Sequence, residues 1–74
     1  MSNYNGWKNY ETWNVALWIG NEEHLYVLAK KCKTYEKFLS YVCRHYHDST
    51  TGDGVKWRDK KIDISQINNF FNEL

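Results

Sequence analysis

The chain has 74 residues and is predicted to form one small domain over 1–74, with a limited hydrophobic core. Ten Lys and Arg against nine Asp and Glu give a net charge of +1, which disfavours an acidic nucleic-acid mimic and a strongly basic polyanion binder. No apolar run reaches the roughly 20 residues of a membrane span, and the N-terminus lacks the apolar segment of a secretory signal. We therefore expect a cytoplasmic protein with no membrane partner.

The first two helices are predicted from their capping residues. Asn9 has the side chain of a helix N-cap and precedes a predicted helix over about 10–19. Gly20 is expected to end this helix in the left-handed conformation that glycine tolerates. Asn21 is then expected to cap a second helix over 22–32, with acidic residues in its first turn.

The third and fourth helices are predicted from hydrophobic spacing and a second cap. Thr34 precedes a helix over 35–46 whose apolar residues repeat at the spacing of one helical face. Asp63 and Gln66 match a capping box, which predicts the start of the fourth helix. The apolar residues expected to be buried on these two helices are Tyr35, Phe38, Leu39, Val42, Tyr46, Ile64, Ile67, Phe71 and Leu74.

The remaining segments complete an all-α prediction. Residues 47–54 are polar and rich in turn formers, which indicates the main loop. Residues 55–59 are expected to be a short extended segment with Val55 and Trp57 on one side, and residues 1–9 an aromatic N-terminal arm. The predicted fold is a compact bundle of three to four short helices.

The first helix is expected to be the central one, because it is apolar nearly all round. Trp13 and Leu17 lie along one of its faces, while Val15, Trp18 and Ile19 lie along another. Trp13 is therefore predicted to be a core residue. Its replacement by alanine would cost about 3–5 kcal/mol, most of the stability of such a domain.

The stretch NYETWNVALWIGNEEHLY, followed by DGVKWRD and a short terminal helix, resembles a family of small proteins that carry a domain of unknown function. Such proteins are frequent in bacteriophages and are also found in cyanobacteria. The resemblance covers most of the chain and is densest over 10–26, with Asp53, Gly54 and Trp57 as a second landmark. It implies a mobile-element setting, in which short accessory proteins often bind host proteins. It assigns no catalytic or binding residue.

A metal site, a cofactor and a catalytic centre are not expected. Cys43, His45 and His47 are close in sequence, but alternate positions on a helix point about 200° apart and do not converge on one ion. Cys32 and Cys43 are predicted to be free thiols on packed helix faces, which makes them poor nucleophiles. Acidic residues near the helix starts are explained by the helix dipole. We therefore expect a non-enzymatic protein.

Weak nucleic-acid binding is the alternative function. The basic stretches at 30–33 and 56–61 hold seven of the ten basic residues and would form one patch if the second helix ends near the later loop. The near-neutral net charge disfavours tight phosphate binding, and basic residues at a helix end also complement its dipole. The residues in this alternative site are Lys30, Lys31, Lys33, Lys56, Trp57, Arg58, Lys60 and Lys61.

The favoured function is binding of an unidentified protein partner. Tyr4, Trp7 and Tyr10 precede or open the first helix among small polar residues, which suits a contact surface with a low side-chain entropy cost. Alternatively, the same rings belong to an N-terminal arm that folds back and seals the core. Both interpretations are open from the sequence, as is the oligomeric state.

Overall fold

The structure is a computed structural model that describes residues 6–45 and 50–74, with the backbone alone for 43–45. It confirms the all-α prediction. α1 packs against α2 and α4, and both of these helices pack against α3. Within the described residues the helices are α1 (Tyr10–Asn21), α2 (Glu23–Cys32), α3 (Tyr35–His45) and α4 (Ile64–Asn72).

The buried face of α1 differs from the predicted one. Val15 and Ile19 are fully buried, whereas Trp13 and Leu17 are only partly buried. The prediction that Trp13 is a core residue is therefore wrong, because its side chain is only partly buried. The contacts of α1 with α2, α4 and the loop at 51–53 leave Trp13 and Leu17 partly exposed, so an all-round apolar helix can keep part of its surface outside the core.

The junction between α1 and α2 also differs from the prediction. α1 begins at the Asn9 cap, as predicted, but it continues through Gly20 to Asn21. Glu22 alone forms the junction: its extended backbone ends α1 and starts α2 without a capping side chain. The left-handed residue is instead Lys33, with φ 66°, at the end of α2. A one-residue junction leaves no place for a separate glycine cap and asparagine cap.

An aromatic cluster between α3 and α4 forms the centre of the core. Phe38 is fully buried, and its ring centroid lies 5.8 Å from Tyr35, 5.8 Å from Trp57 and 5.5 Å from Phe71. The hydroxyl group of Tyr35 donates to the backbone carbonyl of Trp57 at 2.6 Å. The apolar stripe predicted for α3 is confirmed from Tyr35 to Val42, and Tyr46 lies outside the described residues.

α4 starts as predicted, but its capping box is incomplete. The Asp63 side chain accepts from the backbone N–H of Gln66 at 3.1 Å. The backbone N–H of Asp63 donates to the Thr12 hydroxyl at 2.9 Å, so the Gln66 side chain does not close the box. Ile67 is fully buried as predicted, whereas Ile64, which was also predicted to be buried, is 49% exposed.

The segment that precedes α4 is anchored by two apolar residues. Val55 and Trp57 are both buried, as their alternation predicts. The extended conformation ends at Lys56, where a turn begins and the backbone N–H of Asp59 donates to the Lys56 carbonyl at 3.0 Å. Residues 47–49 of the predicted loop lie outside the described residues.

A hydrogen-bond network joins α1 to the loop before this segment. The fully buried Asn14 accepts from the Thr51 hydroxyl at 2.7 Å and donates to a carboxylate oxygen of Asp53 at 2.8 Å. The indole Nε1 of Trp18 donates to the same Asp53 oxygen at 3.0 Å. The bonds from Asn14 and Trp18 stabilise the charged form and hold the pKa of Asp53 below its ordinary value.

Gly52 is required by its contact with Trp18. A Cβ atom at position 52 would overlap the end of the Trp18 indole ring, so Gly52→Ala must displace that ring and break its bond to Asp53. We expect a loss of about 1–3 kcal/mol in the free energy of unfolding, measured by urea denaturation.

Gly20→Ala is the matched control for this substitution. Gly20 lies within α1 with open space around its Cα atom, so alanine is expected to stabilise the helix by about 0.5–1 kcal/mol. Equal effects of the two substitutions would contradict the close packing of Trp18 on Gly52.

Candidate functional site

The end of the N-terminal arm is folded back onto α4. The backbone N–H of Lys8 donates to Gln66 Oε1 at 2.8 Å, and Gln66 Nε2 donates to the carbonyl of Gly6 at 3.0 Å. Asn9 Nδ2 donates to the carbonyl of Lys61 at 2.6 Å. Gln66 therefore holds residues 6–8 in place instead of completing the capping box, and the Lys61 carbonyl holds Asn9.

The aromatic side chains of the arm and α1 form one partly exposed surface. The rings of Trp7 and Phe70 meet edge to face at 5.6 Å, and those of Tyr10 and Trp13 lie 5.7 Å apart. Trp7, Trp13, Leu17 and Phe70 line one open cavity of about 290 Å³. We call the surface formed by Trp7, Tyr10, Trp13, Leu17 and Phe70 the aromatic face.

Two of the three predicted partner-binding residues belong to the aromatic face. Tyr10 is 38% exposed, whereas Trp7 is half-buried against Phe70 and so also helps to seal the core. Tyr4 lies outside the described residues. Trp13 was not among the predicted partner-binding residues, although its i+3 spacing from Tyr10 places it on the same side of α1.

Phe70 and Leu17 were also missed as members of this surface. Leu17 continues the Tyr10 stripe at i+7, so the spacing alone contains a signal for it. Phe70 reaches Trp7 only through the folded-back arm, and no local pattern in the sequence indicates that contact.

In the alternative nucleic-acid site the basic residues are accessible, but the residue predicted to stack on a base is not. The seven basic side chains of both stretches are exposed. Trp57 is only 3% exposed and packs edge to face on Phe38, so its ring is not accessible to a base. The prediction that Trp57 is available for stacking is wrong, because its ring is buried in the aromatic core.

The candidate metal ligands and the Cys32 thiol lie only partly within the described residues. In 6–45 and 50–74, no three His, Cys, Asp or Glu side chains come together to hold a metal ion. The side chains of Cys43, His45 and His47 lie outside the described residues. Cys32 is a free cysteine, and burial raises the pKa of its thiol despite the opposing effect of Lys37. A protonated thiol is a weak nucleophile.

Comparison with known proteins places the chain in a family. No helix of the described residues combines the length and apolar character that crossing a bilayer requires. No curated protein and no solved structure matches the chain. A family of unknown function matches all of residues 1–74. The chain therefore belongs to this family of unknown function, DUF7249.

Proposed function

We propose that this chain is a small non-enzymatic protein-binding module that captures a protein partner through its aromatic face. The observation that carries the proposal is the grouping of Trp7, Trp13 and Phe70 around a shallow cavity, with the exposed Tyr10 ring packed against Trp13. Tryptophan and tyrosine supply most of the binding energy in many interfaces, because they bury large areas at a low entropy cost.

The anchoring of the arm favours this role. The two hydrogen bonds of Gln66 and the contact with Phe70 hold Trp7 in one position before any partner arrives. A preordered ring loses little conformational entropy on binding, so more of its contact energy remains as affinity. Because the same contacts also stabilise the fold, substitution of Trp7 would affect both folding and binding. Tyr10 is therefore the better residue for a test of binding.

The cellular setting is proposed from the family resemblance. A bacteriophage or related mobile element would encode the chain, and its partner would be a host protein in the cytoplasm. Occlusion or remodelling of that partner would be the mechanism. Nothing in this proposal requires a metal, a cofactor or a catalytic group.

The test is affinity capture from a lysate of the organism in which the chain acts, with and without nuclease treatment. Wild-type protein is expected to retain a discrete stoichiometric protein in both lysates. Tyr10→Ala is expected to weaken that capture at least tenfold, which corresponds to about 1.4 kcal/mol. Ile64→Ala is the control, because Ile64 is also exposed but lies outside the aromatic face.

Two results would overturn the proposal. Loss of all captured protein after nuclease treatment would favour binding of nucleic acid through the exposed lysines of 30–33 and 56–61. Equal capture by wild type, Tyr10→Ala and Ile64→Ala would remove the aromatic face from the interface. Far-UV circular dichroism of each variant separates lost binding from lost folding.

A further inference from the structure

A second surface, unrelated to the aromatic face, lies between α2 and α3. These helices form an open groove of about 810 Å³ that shares no residue with the aromatic face. Leu28 and Cys32 lie in its lining, and Val27 and Tyr41 expose 42% and 47% of their surface there. Large apolar side chains that are exposed together at a groove are typical of an interaction surface.

The lining residues of α2 follow two parallel rows along the helix. Glu23, Val27 and Lys31 form one row at i, i+4 and i+8, and His24, Leu28 and Cys32 form the second. In the first row, Val27 lies midway between an acidic and a basic residue. Each charged residue is about 6 Å from Val27 along the helix axis.

The charges of this row are complementary to those of a second copy of the row that runs antiparallel to it. A two-fold axis that passes between two antiparallel copies of α2, perpendicular to the helices and level with Val27, places Val27 against Val27 of the second copy. The same axis places Glu23 opposite Lys31 of the second copy, and Lys31 opposite Glu23 of the second copy. Two identical ion pairs then flank an apolar centre, which is the arrangement that a two-fold symmetric interface requires.

The charges favour a second copy over an acidic partner. Lys31 and Lys37 both line the groove and would attract acidic groups, but Glu23 lies in the same lining and would repel them. In the reversed pairing, Glu23 and Lys31 both find opposite charges. A second copy therefore matches both the acidic and the basic residue of the row, whereas an acidic segment would be repelled by Glu23.

We propose that the α2–α3 groove is the interface of a homodimer in which α2 of each copy packs antiparallel on the other about Val27. The apolar contact of Val27 and Tyr41 supplies most of the attraction. The Glu23–Lys31 pairs set the register and orientation, which is the usual contribution of charges at an interface rim.

Charge reversal tests the pairing directly. Glu23→Lys and Lys31→Glu each place like charges opposite one another at both ends of the interface, so each is expected to weaken self-association at least about tenfold. An equimolar mixture of the two proteins is expected to recover the dimer, because one copy then carries two basic residues and the other two acidic residues at these positions. The doubly substituted protein is also expected to dimerise.

The measurement is sedimentation velocity over a concentration series, in reducing buffer so that no disulfide links two copies. Wild type is expected to shift from the 9.0 kDa monomer towards twice that mass as its concentration rises. Lys30→Glu is the matched control, because Lys30 neighbours Lys31 and carries the same charge but does not line the groove. It is expected to dimerise like wild type.

The proposal is overturned if wild type stays monomeric at every concentration. It is also overturned if the mixture of Glu23→Lys and Lys31→Glu stays monomeric, or if Lys30→Glu weakens association as much as Lys31→Glu. Val27→Asp provides a check that does not depend on the ion pairs, and it must also abolish the dimer. Circular dichroism confirms that each variant is folded.

Discussion

Phe38→Ala is expected to lower the free energy of unfolding by about 3–5 kcal/mol, which is most of the stability that a domain of this size has. Phe38 is fully buried and contacts Tyr35, Trp57 and Phe71. Its removal leaves a cavity that these rigid rings cannot fill by small movements. Urea denaturation followed by far-UV circular dichroism measures the loss.

Two further variants make this prediction specific. Phe38→Leu keeps part of the buried volume and is expected to lose clearly less stability. Trp13→Ala removes a larger ring, but Trp13 is only half-buried, so a loss of about 1–2 kcal/mol is expected. A Trp13→Ala variant that loses more stability than Phe38→Ala would contradict the position of the core between α3 and α4.

Substitution of Asn14 is expected to have the second-largest effect. Asn14→Ala removes the acceptor of the buried Thr51 hydroxyl, which should cost about 1–3 kcal/mol. Asn14→Asp keeps the shape of the side chain but places a second carboxylate against Asp53, in a position from which Asn14 now donates. At pH 7 this variant is expected to be less stable than Asn14→Ala, because a fully buried charge would face a like charge.

The stability of wild type and that of Asn14→Asp are expected to change in opposite directions as the pH falls. In wild type the pKa of Asp53 is lowered, so its contribution to stability is fully present above the ordinary pKa of about 3.9 and is lost as the pH falls through the folded-state value. In Asn14→Asp the paired carboxyl groups have a raised pKa, so this variant is expected to gain stability relative to wild type as the pH falls from 7 towards 4. Parallel curves of stability against pH would contradict the contact between positions 14 and 53.

The local features of the chain were predictable from the sequence. The cap at Asn9, the cap at Asp63 and the buried stripe of α3 are all present in the structure. Each depends on residues within two helical turns of one another, so spacing and side-chain type are sufficient to predict it. The arrangement of Glu23 and Lys31 about Val27 on α2 is also a local feature, since their spacing is visible in the sequence.

The tertiary structure decided every feature that depends on partners far apart in the chain. The bond between Asn14 and Asp53 spans 39 positions, and the bond of Gln66 to the arm spans 60. The sequence by itself determined that α1 is apolar nearly all round, but only packing decided that Ile19 is buried and that Trp13 belongs to the aromatic face. The physical reason is that burial depends on which helices cover a side chain, whereas periodicity only states which residues share a side.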